Sequence, residues 1–468
     1  MGINDSSRFE TSQGFLVHEP GKWTPSDVTA NRAIVAGIAQ RFDPDQLSDL
    51  RPSVQELKDL IEGDPRLYMY FTSMFEELPT RTPAWRDHYG MKLLDNYEHM
   101  LQAMNNLIQT APEWTEEGVR SGYIAAPMLA MLSYPMGTRS GIAAFLDKEV
   151  NKCIKKILND WGKFLSSPAS THTLQDHEYG WFSERGIESV MSVANAPNGT
   201  SLTFEKMFDC DPTAPHYGYK SWDAFFTRTL REGTRPVASP EDDNIIVNAC
   251  ESKMYNLQRG ARLRDQFFAK GEPYSVLDML AHDPLASEFD RGTVYQGFLS
   301  GLSYHRWHAP VSGTVRRAFV QDGAYFSQRY SAGQEPDYQI TSSQGYLSAV
   351  STRGIIMIEA DNPAIGLMAF IAIGMDEVSS CEITVQEGQK VRKGDEIGMF
   401  HFGGSSHCLL FREGLDLEFF PVLGAEANVA VRSKLAEVRN TREEGSVKRR
   451  RLDDEEEDDD DGKRTRLV

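Results

Sequence analysis

The chain of 468 residues is 40% hydrophobic and 10% aromatic, a composition typical of globular proteins with large buried cores. Its formal net charge of −19 includes nine consecutive acidic residues, 453–461, and the remaining charge of about −10 argues against nucleic-acid binding. The five scattered cysteines form no CxxC pair, and no signal-peptide pattern or unbroken apolar span is present. Together these features predict a cytoplasmic protein without stable membrane anchoring.

Residues 1–200 are predicted to form a helical N-terminal region. Apolar residues recur there at spacings of three and four, as expected for helices that bury one face against a core. Two stripes carry the pattern most clearly: Leu94, Tyr97, Leu101, Met104 and Ile108 first, and then Leu146, Val150, Cys153, Ile154, Ile157, Leu158, Trp161 and Leu165.

Residues 201–440 have a different texture. Short runs rich in Val, Ile and Phe alternate with glycine-containing turns, as at 354–359, 367–373 and 408–411. Regular short strands with turn signals favour a β-rich domain of barrel or sandwich type, so the predicted fold class is α+β. Residues 441–468 combine basic clusters with the acidic run, a composition typical of a disordered charged tail, although the basic clusters also fit a nuclear localisation signal.

The segment 402–407, Phe-Gly-Gly-Ser-Ser-His, is the first candidate for chemistry. Its two glycines permit backbone conformations that are closed to other residues, directly before Ser405. The segment lacks the Gly-x-Ser-x-Gly pattern of a nucleophile elbow and the Gly-Lys-Ser/Thr ending of a phosphate-binding loop. Taken alone, it fits an ordinary turn between strands.

The second candidate is the segment 304–310, Tyr-His-Arg-Trp-His-Ala-Pro, which places His305 and His308 three residues apart. No cysteine or third histidine lies nearby in the sequence to complete a zinc set, so a metal site is not favoured. Because histidine titrates near neutral pH, general acid–base catalysis is the better functional interpretation.

Four segments taken together resemble the phosphatidylserine decarboxylase family: 226–236, 270–276, 304–313 and 393–411. They follow the order of that family and cover residues 220–435. Within the family, the chain is most similar to fungal L-tryptophan decarboxylases, including that of the psilocybin pathway, which share the long helical extension and the Phe-Gly-Gly-Ser-Ser-His motif. The resemblance implies that family's catalytic fold and a carboxy-lyase activity.

The resemblance also implies roles for single residues. The chain is expected to cut itself between Gly404 and Ser405 into two chains that stay associated, with Ser405 becoming a covalent pyruvoyl cofactor. His308 matches the base of the family's Asp-His-Ser triad, and His305 matches the histidine that assists decarboxylation. Glu251 stands where the triad aspartate is usual, in the stretch Asn-Ala-Cys-Glu-Ser.

In the mechanism that these roles imply, Glu251 orients His308, which takes the hydroxyl proton of Ser405. The Ser405 oxygen attacks the Gly404 carbonyl, and main-chain NH groups near Gly403 and Gly404 stabilise the oxyanion. Elimination and hydrolysis then leave the pyruvoyl group.

During turnover, the resemblance implies that the pyruvoyl group forms a Schiff base with the substrate amine and withdraws electrons as carbon dioxide leaves. His305 is then the preferred donor of the proton that returns to the substrate Cα. A divalent cation such as calcium is a further candidate cofactor, for which the sequence offers no support.

Two substrate classes and one non-enzymatic alternative remain open. The lack of an evident membrane anchor favours a soluble decarboxylase of aromatic amino acids, L-tryptophan first, over a phosphatidylserine decarboxylase making phosphatidylethanolamine. Trp307 and Phe326 are candidate linings of the substrate pocket. The third alternative is a degenerate family member that acts as a scaffold. The expected partner is therefore a small amino acid, and the sequence leaves the oligomeric state open.

Overall fold

The computed structural model describes residues 9–10, 16–17, 27–43, 47–78, 93–267, 273–330, 343–375, 377, 380–402, 405–421, 425 and 427–439. Gly403 and Gly404, the segment 268–272 and the tail 441–468 therefore lie outside the described residues. So do the expectations that the sequence raised for them.

Most helices of the described chain precede residue 230. The α-helices are α1 Val28–Ala39, α2 Pro52–Gly63, α3 Pro65–Glu76, α4 Tyr97–Leu107, α5 Glu116–Ser121, α6 Pro127–Leu132, α7 Arg139–Phe145, α8 Lys148–Leu165, α9 Glu184–Asn195, α10 Phe204–Met207, α11 Trp222–Phe226, α12 Val276–Met279 and α13 Gln344–Val350. Short 3-10 helices span Pro135–Gly137, Pro168–Thr173, Ala196–Asn198, Pro215–Gly218 and Pro284–Phe289.

Helix α8 illustrates how the sequence specifies these elements. It begins where the Asp147 side chain accepts hydrogen bonds from the main-chain NH groups of Glu149 and Val150. It ends two residues before Ser167, whose position ahead of Pro168 disfavours helical backbone. The predicted stripe from Val150 to Leu165 is buried, which confirms the helix, but Leu146 precedes the helix and is 41% exposed.

The strands dominate the rest of the chain. They are β1 Phe9–Glu10, β2 Leu16–Val17, β3 Ile245–Val247, β4 Lys253–Ala261, β5 Gly292–Leu299, β6 Arg306–His308, β7 Gly313–Gln321, β8 Arg353–Ala360, β9 Leu367–Gly374, β10 Ser380–Ile383, β11 Lys390–Val391, β12 Glu396–His401, β13 Ser405–Phe411, β14 Leu417–Phe419 and β15 Lys434–Val438.

These strands form three antiparallel sheets. The largest has nine strands in the order β1-β2-β4-β5-β13-β9-β8-β7-β11, and the two smaller sheets have the orders β10-β12-β6 and β14-β15-β3. The α+β class is confirmed, but the expectation of a barrel is wrong for the described residues, because β1 and β11 remain as the two edges of the large sheet. The described sheets are open rather than closed.

Alternating side chains of the large sheet enter two separate cores. Leu410 of β13 and Phe298 of β5 belong to the core that contains the N-terminal helices. Leu409 of β13 and Tyr295 of β5 belong to the core that contains the two small sheets. Because side chains of a strand point alternately to opposite faces, the molecule has three layers: helices, the large sheet, and the small sheets.

Candidate active site

Ser405 is the first residue of β13, in the middle of the large sheet. It pairs with Leu299 of β5 on one side and with Gly374 of β9 on the other. Its side chain is fully buried, and its hydroxyl has no hydrogen-bond partner among the described residues. A buried hydroxyl without a partner costs stability, which makes Ser405 a candidate for a chemical role.

The helical layer packs against Phe402, which precedes Ser405 in the chain. Phe402 has a φ of 51°, a left-handed conformation that is uncommon for a residue with a side chain. Its ring lies 6.0 Å from the ring of Trp161, centroid to centroid, and it also packs over Gly162 of the same helix, α8. This packing fixes an unusual backbone turn three residues before Ser405.

His308, in β6, is held through both ring nitrogens. Nδ1 lies 3.0 Å from the carbonyl oxygen of Gly394, which only accepts, so Nδ1 carries the proton. Nε2 lies 3.0 Å from the Tyr304 hydroxyl and accepts its hydrogen bond. Burial, helped by the positive charge of the nearby Arg432, lowers the pKa of His308 to about 3. The imidazole is therefore neutral near pH 7 and offers the Nε2 lone pair as a base.

Glu251 lies in a different set of contacts from the one that the resemblance implies. Its carboxylate pairs with the guanidinium of Arg235, with Nε 3.1 Å and Nη2 2.5 Å from its two oxygens, and it accepts the main-chain NH of Val431. Both side chains are nearly fully buried. The orienting partner of His308 in this structure is the Gly394 carbonyl and not Glu251. A catalytic role for Glu251 stays a prediction.

His305 is buried beside a residue of the first family-like segment. Its ring stacks on Phe226 with centroids 4.0 Å apart and an angle of 22° between the planes. Arg228, two residues later, donates to the carbonyl oxygens of Leu302 and Ser303 and so fixes the turn that leads to His305. The segment 226–236 thus contacts the candidate site through three of its side chains, those of Phe226, Arg228 and Arg235.

Trp307 and Phe326 do not share a pocket. Trp307 lies in the core of the small sheets, where its ring is 4.7 Å from Phe400 and 5.4 Å from Phe370. Phe326 lies in the core of the helices, 6.3 Å from Phe145. The two side chains are on opposite faces of the large sheet and are fully buried. Trp307 belongs to a small sheet and Phe326 to the segment after β7, so each would line a different region, and their part in a substrate pocket stays a prediction.

His407 is a buried group to which sequence reasoning gave no role. It lies two residues after Ser405, on the same face of β13, and packs between the rings of Tyr295 and Phe370. A Cβ atom on Gly297, opposite His407, would come within 2.7 Å of the imidazole and 2.6 Å of the Ser252 hydroxyl. Only glycine fits at position 297. Because side chains two residues apart in a strand lie on the same face, the sequence alone could have placed His407 on the face of Ser405.

Most of the chain matches models of one protein family. Two models, each described as phosphatidylserine decarboxylase, match residues 51–190 and 222–436. Decarboxylase iboD of Amanita muscaria is 40% identical over 324 residues, which cover 67% of this chain and 91% of that protein. The chain belongs to the phosphatidylserine decarboxylase family. It is a carboxy-lyase.

Two further members of the phosphatidylserine decarboxylase family differ in how much of this chain they match. An L-tryptophan decarboxylase of Psilocybe cubensis is 36% identical over 379 residues, which cover 78% of this chain and 81% of that protein. A phosphatidylserine decarboxylase proenzyme of Clostridium botulinum is 31% identical over 195 residues, covering 42% of this chain and 62% of that protein.

Within the described ranges, no group of three or more His, Cys, Asp or Glu residues is arranged to hold a metal ion. No helix in the described part of the chain is long and apolar enough to cross a membrane.

Acid should destabilise the fold partly through the two buried histidines. Burial lowers the pKa of both His308 and His407 from 6.5 to about 3. Between those values the unfolded chain binds more protons than the folded chain, so the stability that these neutral histidines contribute falls as pH falls from about 6.5 towards 3.

His407→Leu should therefore show a shallower loss of unfolding free energy over that window than the wild type does, measured by urea titration at a series of pH values. Above about pH 7.5 the two curves should run parallel, because His407 is neutral in both folded and unfolded chains. Equal slopes below pH 6.5 would contradict the neutral assignment.

Proposed function

We propose that the chain is a self-processing, pyruvoyl-dependent decarboxylase of aromatic L-amino acids, with L-tryptophan as the first substrate and tryptamine and carbon dioxide as products. The observation that carries the substrate class is the extent of similarity. Identity to the Psilocybe cubensis L-tryptophan decarboxylase spans 78% of the chain, whereas identity to the Clostridium botulinum phosphatidylserine decarboxylase proenzyme spans 42%.

The surroundings of Ser405 suit the formation of a pyruvoyl group. Its partnerless hydroxyl is free to attack the preceding carbonyl, that of Gly404, and convert the amide bond into an ester. The hydroxyl proton passes to a base, for which the neutral His308 is the candidate once Tyr304 releases Nε2. Loss of the Ser405 Cα proton to a base and breaking of its Cβ–O bond then free the Gly404 carboxylate and leave dehydroalanine, whose imine form is hydrolysed by water to the pyruvoyl group and ammonia.

The pyruvoyl group would supply an electron-withdrawing carbonyl next to the substrate Cα. The chain itself would supply the enclosure. His305 is buried against Phe226, and the turn that carries His305 is fixed by Arg228, so a proton donor at this position keeps one orientation. Restricting its motion lowers the entropic cost of delivering a proton to Cα.

The two products of the cut would remain one folded unit. The fragment 405–468 contains β13, which pairs over seven residues with β5 and over seven residues with β9, both in the fragment 1–404. It also contains β15, which pairs with β3 of the longer fragment. Separating the chains would expose a buried central strand, which is costly.

Product analysis tests the substrate class. Purified protein is incubated separately with L-tryptophan, with L-phenylalanine and with phosphatidylserine vesicles, and the amine products are identified by mass spectrometry. We expect tryptamine and no phosphatidylethanolamine. Phosphatidylethanolamine without tryptamine would replace the proposal by lipid decarboxylation. A cut chain that acts on none of these substrates would overturn it, and an uncut inactive chain would favour the scaffold alternative.

A further inference from the structure

A cavity of about 500 Å³ lies between the helical layer and the large sheet, near Ser405. Its helical wall comes from α5 and α9, and its sheet wall comes from β4 and β5, so we call it the α5–α9 cavity. The residues that line it are Val119, Gly122, Ile124, Ser189, Ser192, Val193, Ala196, Lys253, Phe298, Ser300, Leu302, Ala427 and Asn428. A volume of this size is typical of sites for small organic ligands.

The sheet wall of the α5–α9 cavity adjoins the reaction centre. Phe298 pairs directly with Ser406, and the next residue, Leu299, pairs with Ser405. Leu302 lies in the turn before Tyr304 and His305, where its carbonyl oxygen accepts from Arg228. Phe298 lies on the face of the sheet opposite the Ser405 side chain, so a ligand in the cavity would approach residue 405 at its Cα, the atom that would carry the new carbonyl.

The lining of the α5–α9 cavity has the chemistry that an aromatic amino acid requires. Val119, Val193 and Phe298 contribute apolar surface on both walls. Lys253 is the one charged side chain among the lining residues, so the lining itself contributes no carboxylate that would repel an amino acid. A phospholipid is less suited. A space of about 500 Å³ holds a drug-sized ligand, so the two acyl chains of a phospholipid would have to extend out of it.

A second cavity, of about 470 Å³, provides the comparison. It is lined by residues of α1 such as Ile34 and by other parts of the helical layer, and we call it the α1 cavity. Its lining includes the carboxylates of Glu113 and Glu117 as well as Arg41. Because Arg41 pairs with Glu113, this lining keeps one net negative charge, that of Glu117, which repels the substrate carboxylate, so charge favours the α5–α9 cavity.

We propose that the α5–α9 cavity binds the aromatic side chain of the substrate, so that helices α5 and α9 select the amino acid while the sheet carries out the reaction. This inference rests on the proposed function. It assigns the choice of substrate to residues of the N-terminal helical layer, whose described residues make no hydrogen bond with the Ser405 hydroxyl.

The test introduces one tryptophan side chain into each cavity, in two separate variants. Val193→Trp narrows the α5–α9 cavity, and Ile34→Trp, the matched control, narrows the α1 cavity. Self-cleavage, read on a denaturing gel, reports that each variant folds. We expect Val193→Trp to cut normally and to raise the KM for L-tryptophan at least about tenfold, since a pocket discriminates by this much or more for small changes in fit. Ile34→Trp should keep the wild-type KM.

A near-isosteric substitution covers the case in which Val193→Trp fails to fold. In Ser192→Cys, labelling of the new thiol by a maleimide, mapped by peptide mass spectrometry, should slow at least about twofold when L-tryptophan saturates the enzyme, because a ligand in the pocket excludes the reagent. A wild-type KM in folded Val193→Trp, a raised KM in Ile34→Trp, or unprotected labelling would each overturn the inference. If the wild type makes no aromatic amine at all, it is the proposed function that has failed.

Discussion

Ser405→Ala should leave the chain in one piece of 52.6 kDa and without decarboxylase activity. In the proposed mechanism the hydroxyl of Ser405 is the nucleophile, and alanine has no oxygen with which to attack the preceding carbonyl. Without the cut no pyruvoyl group forms, so activity should fall to background rather than by a partial factor. A denaturing gel shows the single band, and an amine assay with L-tryptophan shows the loss of turnover.

Ser406→Ala is the matched control for this experiment. Ser406 is the next residue, but it points to the opposite face of β13, where its hydroxyl contacts the side chains of Gln296 and Gln344. We expect Ser406→Ala to cut. A cut in Ser405→Ala, or an uncut but folded Ser406→Ala, would show that the nucleophile has been misassigned.

The second large effect concerns stability. Arg235→Met should lower the free energy of unfolding by about 3–5 kcal/mol, because it leaves the Glu251 carboxylate buried without its partner charge. Glu251→Leu should cost a similar amount by leaving the Arg235 guanidinium unpaired. The double variant should recover much of the loss, since an apolar pair replaces two buried charges. Urea unfolding of the four proteins gives the coupling energy.

The same four proteins, with Glu251→Gln added, separate the two roles considered for Glu251. If its main task is to hold Arg235 and the main chain at Val431, loss of self-cleavage should follow loss of stability, and the stabilised double variant should cut again. If it orients His308 during the reaction, Glu251→Gln should block the cut even under conditions where the variant is folded, and the double variant should stay uncut.

The sequence predicted the local elements well. The helical stripes became α4 and α8, because a period near 3.6 can be read without knowledge of the partner surface. The ordered motifs indicated the family, which the comparisons confirmed. The same motifs predict the roles of Ser405 and His308, which stay predictions, although the segment around Ser405, taken alone, fits a common turn.

The remaining features depend on contacts between distant parts of the chain. His308 is oriented by the carbonyl of Gly394, a main-chain group that has no sequence signature. Glu251 pairs with Arg235 rather than with the histidine, and nothing in either local sequence distinguishes these partners. The open edges of the large sheet likewise depend on which strands pair, so the strands alone could not exclude a barrel.

Intact mass spectrometry of the purified wild-type protein tests the central claim most directly. The account predicts two chains, 1–404 and 405–468, with the shorter one lighter by one ammonia than the same fragment beginning with serine, because a pyruvoyl group has replaced residue 405. A single intact chain, or a fragment that begins with an unmodified Ser405, would contradict it.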